Sequence, residues 1–351
     1  MKKITIIASL SLLIFGNSVK AQDIHFSQFY EAPVLNNPAN AGVFNGDFRA
    51  ILNYRSQWGS IGNPFKTYAF SADGNFMKKK WRNAFLGYGL FAYKDVAGET
   101  QFSTTNINGT LSATLNIDRD NSFSLGIQGG YVARSINYGN LRWDNQFNGF
   151  YYDENLPSGE VINLGNYNFV DASAGLLWVY GKEAGTITSN DQFSARAGLA
   201  LYHINRPKQL LDNGDLDKLY SRFSMFGEVH YGIQNTRYAF RPKFMYYQQG
   251  KQKELNIGMF FRYMIKEESK YTGIFKNVSA SLGAFYRTGD AFIPALLLEV
   301  ANYSIGFSYD MNVSKLSNAT NGNGGFEISL RYITPNPYTY GRGSNSKSRF
   351  N

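Results

Sequence analysis

Residues 107–117 read Ile107-Asn108-Gly109-Thr110-Leu111-Ser112-Ala113-Thr114-Leu115-Asn116-Ile117. Every odd position is apolar or small, and every even position is Asn, Thr or Ser. Side chains of a strand point alternately to opposite faces, so a strict period of two encodes a β-strand with one apolar and one polar face. The neighbouring stretch repeats the pattern, with Phe123, Leu125, Ile127, Gly129 and Tyr131 against Ser124, Gly126, Gln128 and Gly130. Near the other end of the chain, Tyr303, Ile305, Phe307, Tyr309, Met311 and Val313 oppose Ser304, Gly306, Ser308, Asp310, Asn312 and Ser314.

Strands of this kind are predicted near 48–58, 66–76, 84–94, 101–117, 121–138, 168–181 and 191–203. A second set falls near 221–233, 236–248, 253–266, 276–288, 291–301, 303–314 and 324–333. Alternation by itself also suits a soluble β-sandwich. Three features favour a transmembrane barrel. Large aromatics gather at one end of an apolar face, as in Val170, Ala172, Ala174, Leu176, Trp178 and Tyr180, in the manner of an interfacial girdle. The opposite faces carry Arg196, Glu228, Arg241 and Arg262 in mid-strand, where a lumen accommodates charge. The chain also opens as a secretory signal, with Lys2 and Lys3, an apolar run from Ile4 to Phe15, and small residues at Val19 and Ala21 before a cut after Ala21. That run is too short for the ~20 residues of a spanning helix.

The reading is therefore an all-β outer-membrane barrel of about fourteen antiparallel strands over residues 48–333, following a signal peptide over 1–21. Residues 22–47 lack alternation but contain Pro33, Pro38 and Gly42, and are expected to dock on or in the barrel. Residues 334–351 read as a flexible periplasmic tail. An even strand count puts both ends on the periplasmic side. The turns at 118–121, 234–236 and 301–302 are then inside, and the long connections 135–167 and 203–220 outside; the turn 266–275 is an exception, being long for the periplasmic side.

Composition agrees. Aromatics are 16% of the chain, with 25 Tyr and 28 Phe, while mean hydropathy is only -0.33, far below a helical membrane protein. The absence of cysteine excludes disulfides, thiolate nucleophiles, Cys-based zinc sites and a lipid-anchored Cys. The net charge of +9 falls to +6 once Lys2, Lys3 and Lys20 leave with the signal, and half of that sits on Arg342, Lys347 and Arg349 of the tail. The body is nearly balanced, so no nucleic-acid surface is indicated. The three histidines, His25, His203 and His230, have neither metal-ligand nor triad spacing, and His230 reads as a lumen hydrogen-bond partner of Glu228. Asp212, Asp215 and Asp217 lack the Glu that closes an EF-hand loop. No cofactor, metal or catalytic residue is expected, and the chain reads as a non-enzyme.

The words Phe26-Ser27-Gln28-Phe29-Tyr30 and Asn37-Pro38-Ala39-Asn40-Ala41-Gly42 resemble the opening of the PorP/SprF family of type IX secretion and gliding-motility proteins of Bacteroidetes. Arg55-Ser56-Gln57-Trp58 with Pro64 and Thr67, His203-Ile204-Asn205-Arg206-Pro207, Tyr309-Asp310 and Gly325-Phe326-Glu327-Ile328 resemble later motifs of that family in the same order. Ala32-Pro33 departs from it, standing where Asn-Pro is expected. The resemblance implies a monomeric barrel of about fourteen strands that exports or retains a large cargo, such as an adhesin, through its C-terminal sorting domain. It also implies structural roles for Gln28, Asn37, Pro38, Gly42, Arg55, Trp58, Asp310 and Glu327. Translocon or periplasmic ring components are further expected partners, alongside the lipid of the outer membrane.

Candidate cargo-binding residues are Trp143, Phe147, Phe150, Tyr151 and Tyr152, aromatic anchors on a long outer loop, together with His203 and Arg206. The same aromatics also fit a lid packed over the barrel mouth. The alternative function is a channel or uptake porin with an open lumen. For assembly, Phe326, Ile328, Leu330 and Tyr332 form the lipid face of the closing strand. Ile328→Arg is expected to cost about 2–4 kcal/mol near the bilayer midplane, against little for the same charge at Ser329. Deletion of 334–351 is expected to leave an inserted barrel. Urea unfolding and heat-modifiable gel mobility measure both.

Overall fold

The computed structural model describes residues 23–60, 62–76, 81, 83–98, 101–137, 142–159, 166–182, 193–210, 216–266, 278–314 and 317–334. The leader, the tail beyond Thr334, residues 267–277 and the loop aspartates Asp212 and Asp215 lie outside that set. The first seven barrel strands are β1 (Phe48–Gln57), β2 (Phe65–Phe76), β3 (Ala84–Ala97), β4 (Phe102–Asn116), β5 (Asn121–Ser135), β6 (Tyr167–Lys182) and β7 (Phe193–Tyr202). A small hairpin follows, β8 (Lys208–Leu210) with β9 (Leu216–Lys218). The remaining seven are β10 (Arg222–Gly232), β11 (Tyr238–Gln249), β12 (Gln252–Lys266), β13 (Val278–Arg287), β14 (Ala291–Val300), β15 (Tyr303–Asn312) and β16 (Asn323–Ile333).

These fourteen strands form one closed antiparallel barrel, with each strand beside its chain neighbour and β1 closing on β16 in the register Arg55↔Glu327. Closure leaves no edge, which is what allows a sheet to sit in hydrocarbon. The side-chain distribution is inverted relative to a soluble sheet. On β4, Ile107, Leu111 and Leu115 are 49%, 59% and 54% exposed, while Asn106, Asn108, Thr110, Ser112 and Thr114 are buried. A sandwich would bury the first set; a lipid-facing wall exposes it. Aromatic rings gather at both rims. Tyr54 lies 5.0 Å from Tyr68 and 5.7 Å from Phe326 at one, and Tyr303 lies 5.0 Å from Tyr332 at the other. No described helix is long and apolar enough to cross a membrane.

The start of β1 and the end of β16 share a rim, here termed the terminal end, where Arg49 pairs with Ile333. The other rim, the loop end, carries the connections 142–159 and 203–220. Residues 23–47 fill the lumen between the two. Asp23 meets Gln249 and His203, at the loop-end tips of β11 and β7, and Gly42 meets Asp73 toward the terminal end of β2. The described chain therefore starts at the loop end, and crosses the barrel before its first strand begins. Along the way it makes a single helical turn at Pro33–Asn36, flanked by 3-10 turns at Phe29–Glu31 and Pro38–Asn40.

The plug brings an apolar core with it. Phe29, Ala39 and Val43 pack with inward-facing Phe85, Phe226, Met245, Phe260, Phe285 and Ile293. Tyr30 stacks on Phe285 at 5.5 Å and meets Phe260 edge-on at 4.9 Å. Where the plug lies closest to the wall, the wall is glycine: a Cβ at Gly126 would overlap Pro38 and Ala39, and one at Gly175 would overlap the Asn37 amide. Gly42 itself has φ +71, and a side chain there would meet Gly74 O at 2.7 Å.

Three expectations need correction. Ser329 faces the lumen as read, but it is buried and its hydroxyl donates to Gln28 Oε1 at 2.7 Å, so a charge there would collide with the plug. Thr334 pairs with the barrel, its N–H donating to Phe48 O at 2.9 Å. His230 does not pair with Glu228. Its Nδ1 accepts from Arg241 Nε at 2.9 Å, whereas Glu228 accepts from Lys243 and pairs with Arg196 at 3.3 Å. Positions two apart on a strand share a face but are too widely spaced for a short carboxylate–imidazole bond, so cross-strand partners win.

Gly175→Leu is expected to expel the plug without opening the sheet. Overpacking of this kind typically costs ~1–3 kcal/mol. Limited proteolysis should then cut between residues 29 and 43, sites closed in the parent, while heat-modifiable mobility is retained.

Candidate functional site

Two assemblies of polar and aromatic side chains stand out: a buried lock between plug and wall, and a displayed loop beyond the rim. The lock centres on β16. Glu327 accepts from the backbone N–H of Ser27 at 2.7 Å and of Gln28 at 2.8 Å, and pairs with Arg55 Nε at 3.0 Å. The Gln28 side chain donates to Glu327 O at 2.9 Å. Asp310 on β15 accepts from the Ser27 hydroxyl and from Arg287, both at 2.8 Å, and lies 3.4 Å from Arg55. Arg55 also donates to His25 O, and Arg287 to the Ser27 hydroxyl. All of these groups are buried except His25, which is half-buried. Losing one member of such a buried pair typically costs ~3–5 kcal/mol, since its partner is left charged in a low dielectric.

Further down, Asn37 Nδ2 donates to Leu176 O at 2.8 Å and Leu199 O at 3.1 Å, while its Oδ1 accepts from Ala39 N at 2.8 Å. One amide thus caps a plug turn and grips two wall strands. Gly42 N–H donates to Asp73 Oδ2 at 2.9 Å, and Asp73 is held by Arg49 through bonds of 2.8 and 2.9 Å. Trp58 ends β1 with φ +54, its N–H donating to Gly324 O at 2.8 Å and its ring meeting Phe65 at 4.9 Å. The motif residues Gln28, Asn37, Pro38, Gly42, Arg55, Asp310 and Glu327 therefore converge on plug and wall, and Trp58 fastens the adjoining rim. Asp23, Ser27, Arg49, Asp73 and Arg287 complete the lock and were not singled out in the sequence. A signal for a filled lumen was nonetheless present: from Ala291 to Leu298 β14 has no polar residue, so both of its faces require apolar cover.

His203 closes the lock at the loop end. It sits in a left-handed turn (φ +55), buried, with Nε2 2.5 Å from Asp23 Oδ2 and Nδ1 2.9 Å from Asp171 Oδ1. Its ring is occupied by the plug and the wall. Burial works against its charge, but the Asp23 carboxylate and the Asp171 contact outweigh that and push it up to about 9. Burial likewise opposes the Asp23 charge, yet His203 and then Arg222 hold its carboxyl well below the usual range. At His25, burial and the charges of Arg55 and Arg287 act together to keep the imidazole neutral. Arg206 is exposed in the same turn.

The loop 142–159 is of the opposite character. Gln146, buried, accepts from the Tyr152 hydroxyl at 3.0 Å and from Trp143 N–H at 3.3 Å, and donates to Leu156 O at 3.0 Å. Asn148 Oδ1 caps the tip through Phe150 N–H and Tyr151 N–H, each at 3.0 Å. Arg142 covers the Tyr152 ring at 5.0 Å, and Trp143 is half-buried. Phe147 and Tyr151 remain exposed, and Phe150 is 91% exposed. The aromatics therefore do not form a lid. Beside them at the loop end, Gln209 accepts from Arg134 and Leu219 packs with Val132 and Phe169 of the wall. No group of three potential metal-ligating side chains occurs among the described residues.

A lipid-faced, closed, even-stranded barrel with a polar interior is an outer-membrane barrel. The chain belongs to the PorP/SprF family: residues 18–332 match the profile of the type IX secretion system membrane protein PorP/SprF. No curated protein matches it. Among solved structures, it is similar to the TodX monoaromatic hydrocarbon channel deltaS2 mutant, with 10% identity over 86% of this chain and 93% of that one, at a TM-score of 0.47. It is also similar to a Pseudomonas aeruginosa FadL homologue, with 10% identity over 90% and 95% and a TM-score of 0.43. A third is BamA from Haemophilus ducreyi lacking POTRA domains 1-3, with 10% identity over 82% and 70% and a TM-score of 0.41.

The His203–Asp23 contact predicts alkaline release of the plug's first residues. Because the imidazole is raised from an ordinary value of 6.5 to about 9, its contribution is complete below pH 6.5 and is lost as pH rises through 9. Hydrogen exchange at residues 23–28 should accelerate across that window. His203→Gln, which keeps polarity without the charge, should exchange faster at pH 7 and show no further step.

Proposed function

We propose that this type IX secretion barrel holds the C-terminal sorting domain of a secreted cargo at its loop end, and that the loop end faces the cell surface while the terminal end faces the periplasm. The observation that carries the reading is the braced loop 142–159, which keeps Phe147, Phe150 and Tyr151 in water. Exposing such rings on a pre-ordered loop costs the free protein hydrophobic free energy, and it lowers the ordering cost at the moment a partner covers them. The two longest inter-strand connections, 136–166 and 203–221, fall at the loop end, which supports the orientation, although the short turns 250–251 and 288–290 share that rim with them.

The plug argues against a diffusion channel, since Glu327, Asp310 and Asn37 fasten a folded segment across the lumen. This component would therefore act on cargo by binding it, with translocation through its own lumen excluded as long as the plug is docked. The adhesin and translocon partners implied by the resemblance fit this role.

Phe147→Ser with Phe150→Ser and Tyr151→Ser is expected to weaken binding of a purified sorting domain by at least tenfold, as loss of an aromatic hot spot of about 2 kcal/mol or more would do, without changing unfolding. Undiminished binding, together with steady conductance of the parent protein in planar bilayers, would overturn the reading in favour of a channel.

A further inference from the structure

The outer wall is not uniformly convex. Across β16, β1, β2, β3 and β4 it carries an open hollow of about 490 Å³, lined by Leu52, Tyr68, Phe70, Ala92, Lys94 and Ile107 among others. The hollow arises from side-chain size. In the register of the sheet, Ala92 lies between Phe70 and Ile107, and below it Ala72 and Gly109 flank Leu90, so small residues form a floor between bulky walls. Its volume is in the ~300–1,000 Å³ range of clefts that hold discrete ligands.

The hollow has a charged head. Lys94 pairs across the strands with Tyr68 and Thr105, and Lys66, one step nearer the loop end, pairs with Val96. Both lysines are exposed on the outward face. Lys94 is level with Tyr54 and Tyr68, the aromatic girdle that marks the headgroup region. Outward-facing positions of β1–β4 between this level and the terminal end carry no charge, so the two cations sit only where a headgroup would. A cation with no ion pair among the described residues, beside a greasy trough at that depth, is complementary to one kind of membrane component.

We propose that this hollow is a lipid-binding site that takes an anionic lipid of the loop-end leaflet, its phosphate against Lys94 and Lys66 and an acyl chain lying over Ala92. A charge-assisted contact to phosphate is worth appreciably more than a neutral one, and an acyl chain fills space that would otherwise be left unpacked. The site lies on the outer wall of β16 and β1–β4, whereas the 142–159 loop belongs to the connection between β5 and β6.

The test is native mass spectrometry of the full chain released from phosphatidylcholine nanodiscs doped with phosphatidylglycerol. The parent should retain phosphatidylglycerol in preference to phosphatidylcholine. Lys66→Glu with Lys94→Glu should lower that retention about tenfold, and Ala92→Leu, which fills the floor and leaves the charges alone, should lower it as well. Lys253→Glu, an outward lysine on the far side of the barrel at the same rim, serves as the control and should change nothing. Heat-modifiable mobility establishes that each variant is folded. Equal retention by the double variant, an equal loss with Lys253→Glu, or a dimer of the parent that Ala92→Leu dissociates would each overturn the proposal, the last by placing a second copy of the chain in the hollow.

Discussion

The carboxylate of Glu327 accepts two backbone N–H groups, from Ser27 and Gln28, that belong to an irregular segment with no strand to pair with. A buried amide without an acceptor is costly, so a non-sheet segment can occupy a barrel only where the wall supplies acceptors at matching positions. Glu327, Asp310 and Asp73 do this from the wall side, while Asn37 reaches from the plug to the carbonyls of Leu176 and Leu199. Each carboxylate is in turn neutralised by an arginine on a nearby strand, Arg55, Arg287 or Arg49. The plug, its acceptors and their counter-charges make one connected polar system, and the apolar contacts of Phe29 and Tyr30 are positioned by it.

This arrangement gives the barrel two interfaces of different kinds. The wall obeys the bilayer, with apolar side chains exposed and aromatic rings at both rims. The lumen obeys the rules of a soluble core, with interdigitated aromatics where Phe29, Phe260 and Phe285 meet and paired charges where β7, β10, β11 and β14 carry them. A plugged lumen makes the loop end a surface rather than an opening. Within that surface Leu219 packs on Val132 and Phe169 of the wall, and the 142–159 loop keeps Phe147, Phe150 and Tyr151 exposed. A surface of this form is what the proposed cargo-holding role requires.

The residues that carry the family resemblance are largely out of contact with solvent. Gln28, Asn37, Gly42, Arg55, Asp310 and Glu327 are spread over nearly 300 positions of sequence, yet all serve the docking of one short segment. His203 belongs to the same system, although its place in a loop suggested a partner contact. The aromatics of 142–159 carry no such constraint. The residues that carry the resemblance thus serve the docking of the plug, and the displayed loop lies outside that system.

The sequence by itself determined the barrel. Alternation, strict at 107–117 and recognisable in the further segments with the exception of apolar β14, depends only on the geometry of a single strand, in which neighbouring side chains face opposite ways, and so it is legible without knowing any partner. The same alternation identified Arg196, Glu228, Arg241 and Arg262 as lumenal. Their partners were another matter: which carboxylate meets which guanidinium depends on cross-strand register, and Glu228 proved to join Lys243 and Arg196 rather than His230. Only the tertiary structure decided that the segment before Phe48 runs the length of the lumen, that Ser329 is in contact with it, and that His203 is fastened to Asp23, 180 residues away. These contacts join an aperiodic segment to a periodic wall. A pattern confined to one strand cannot encode them, because each depends on where the closed sheet places a side chain in the lumen.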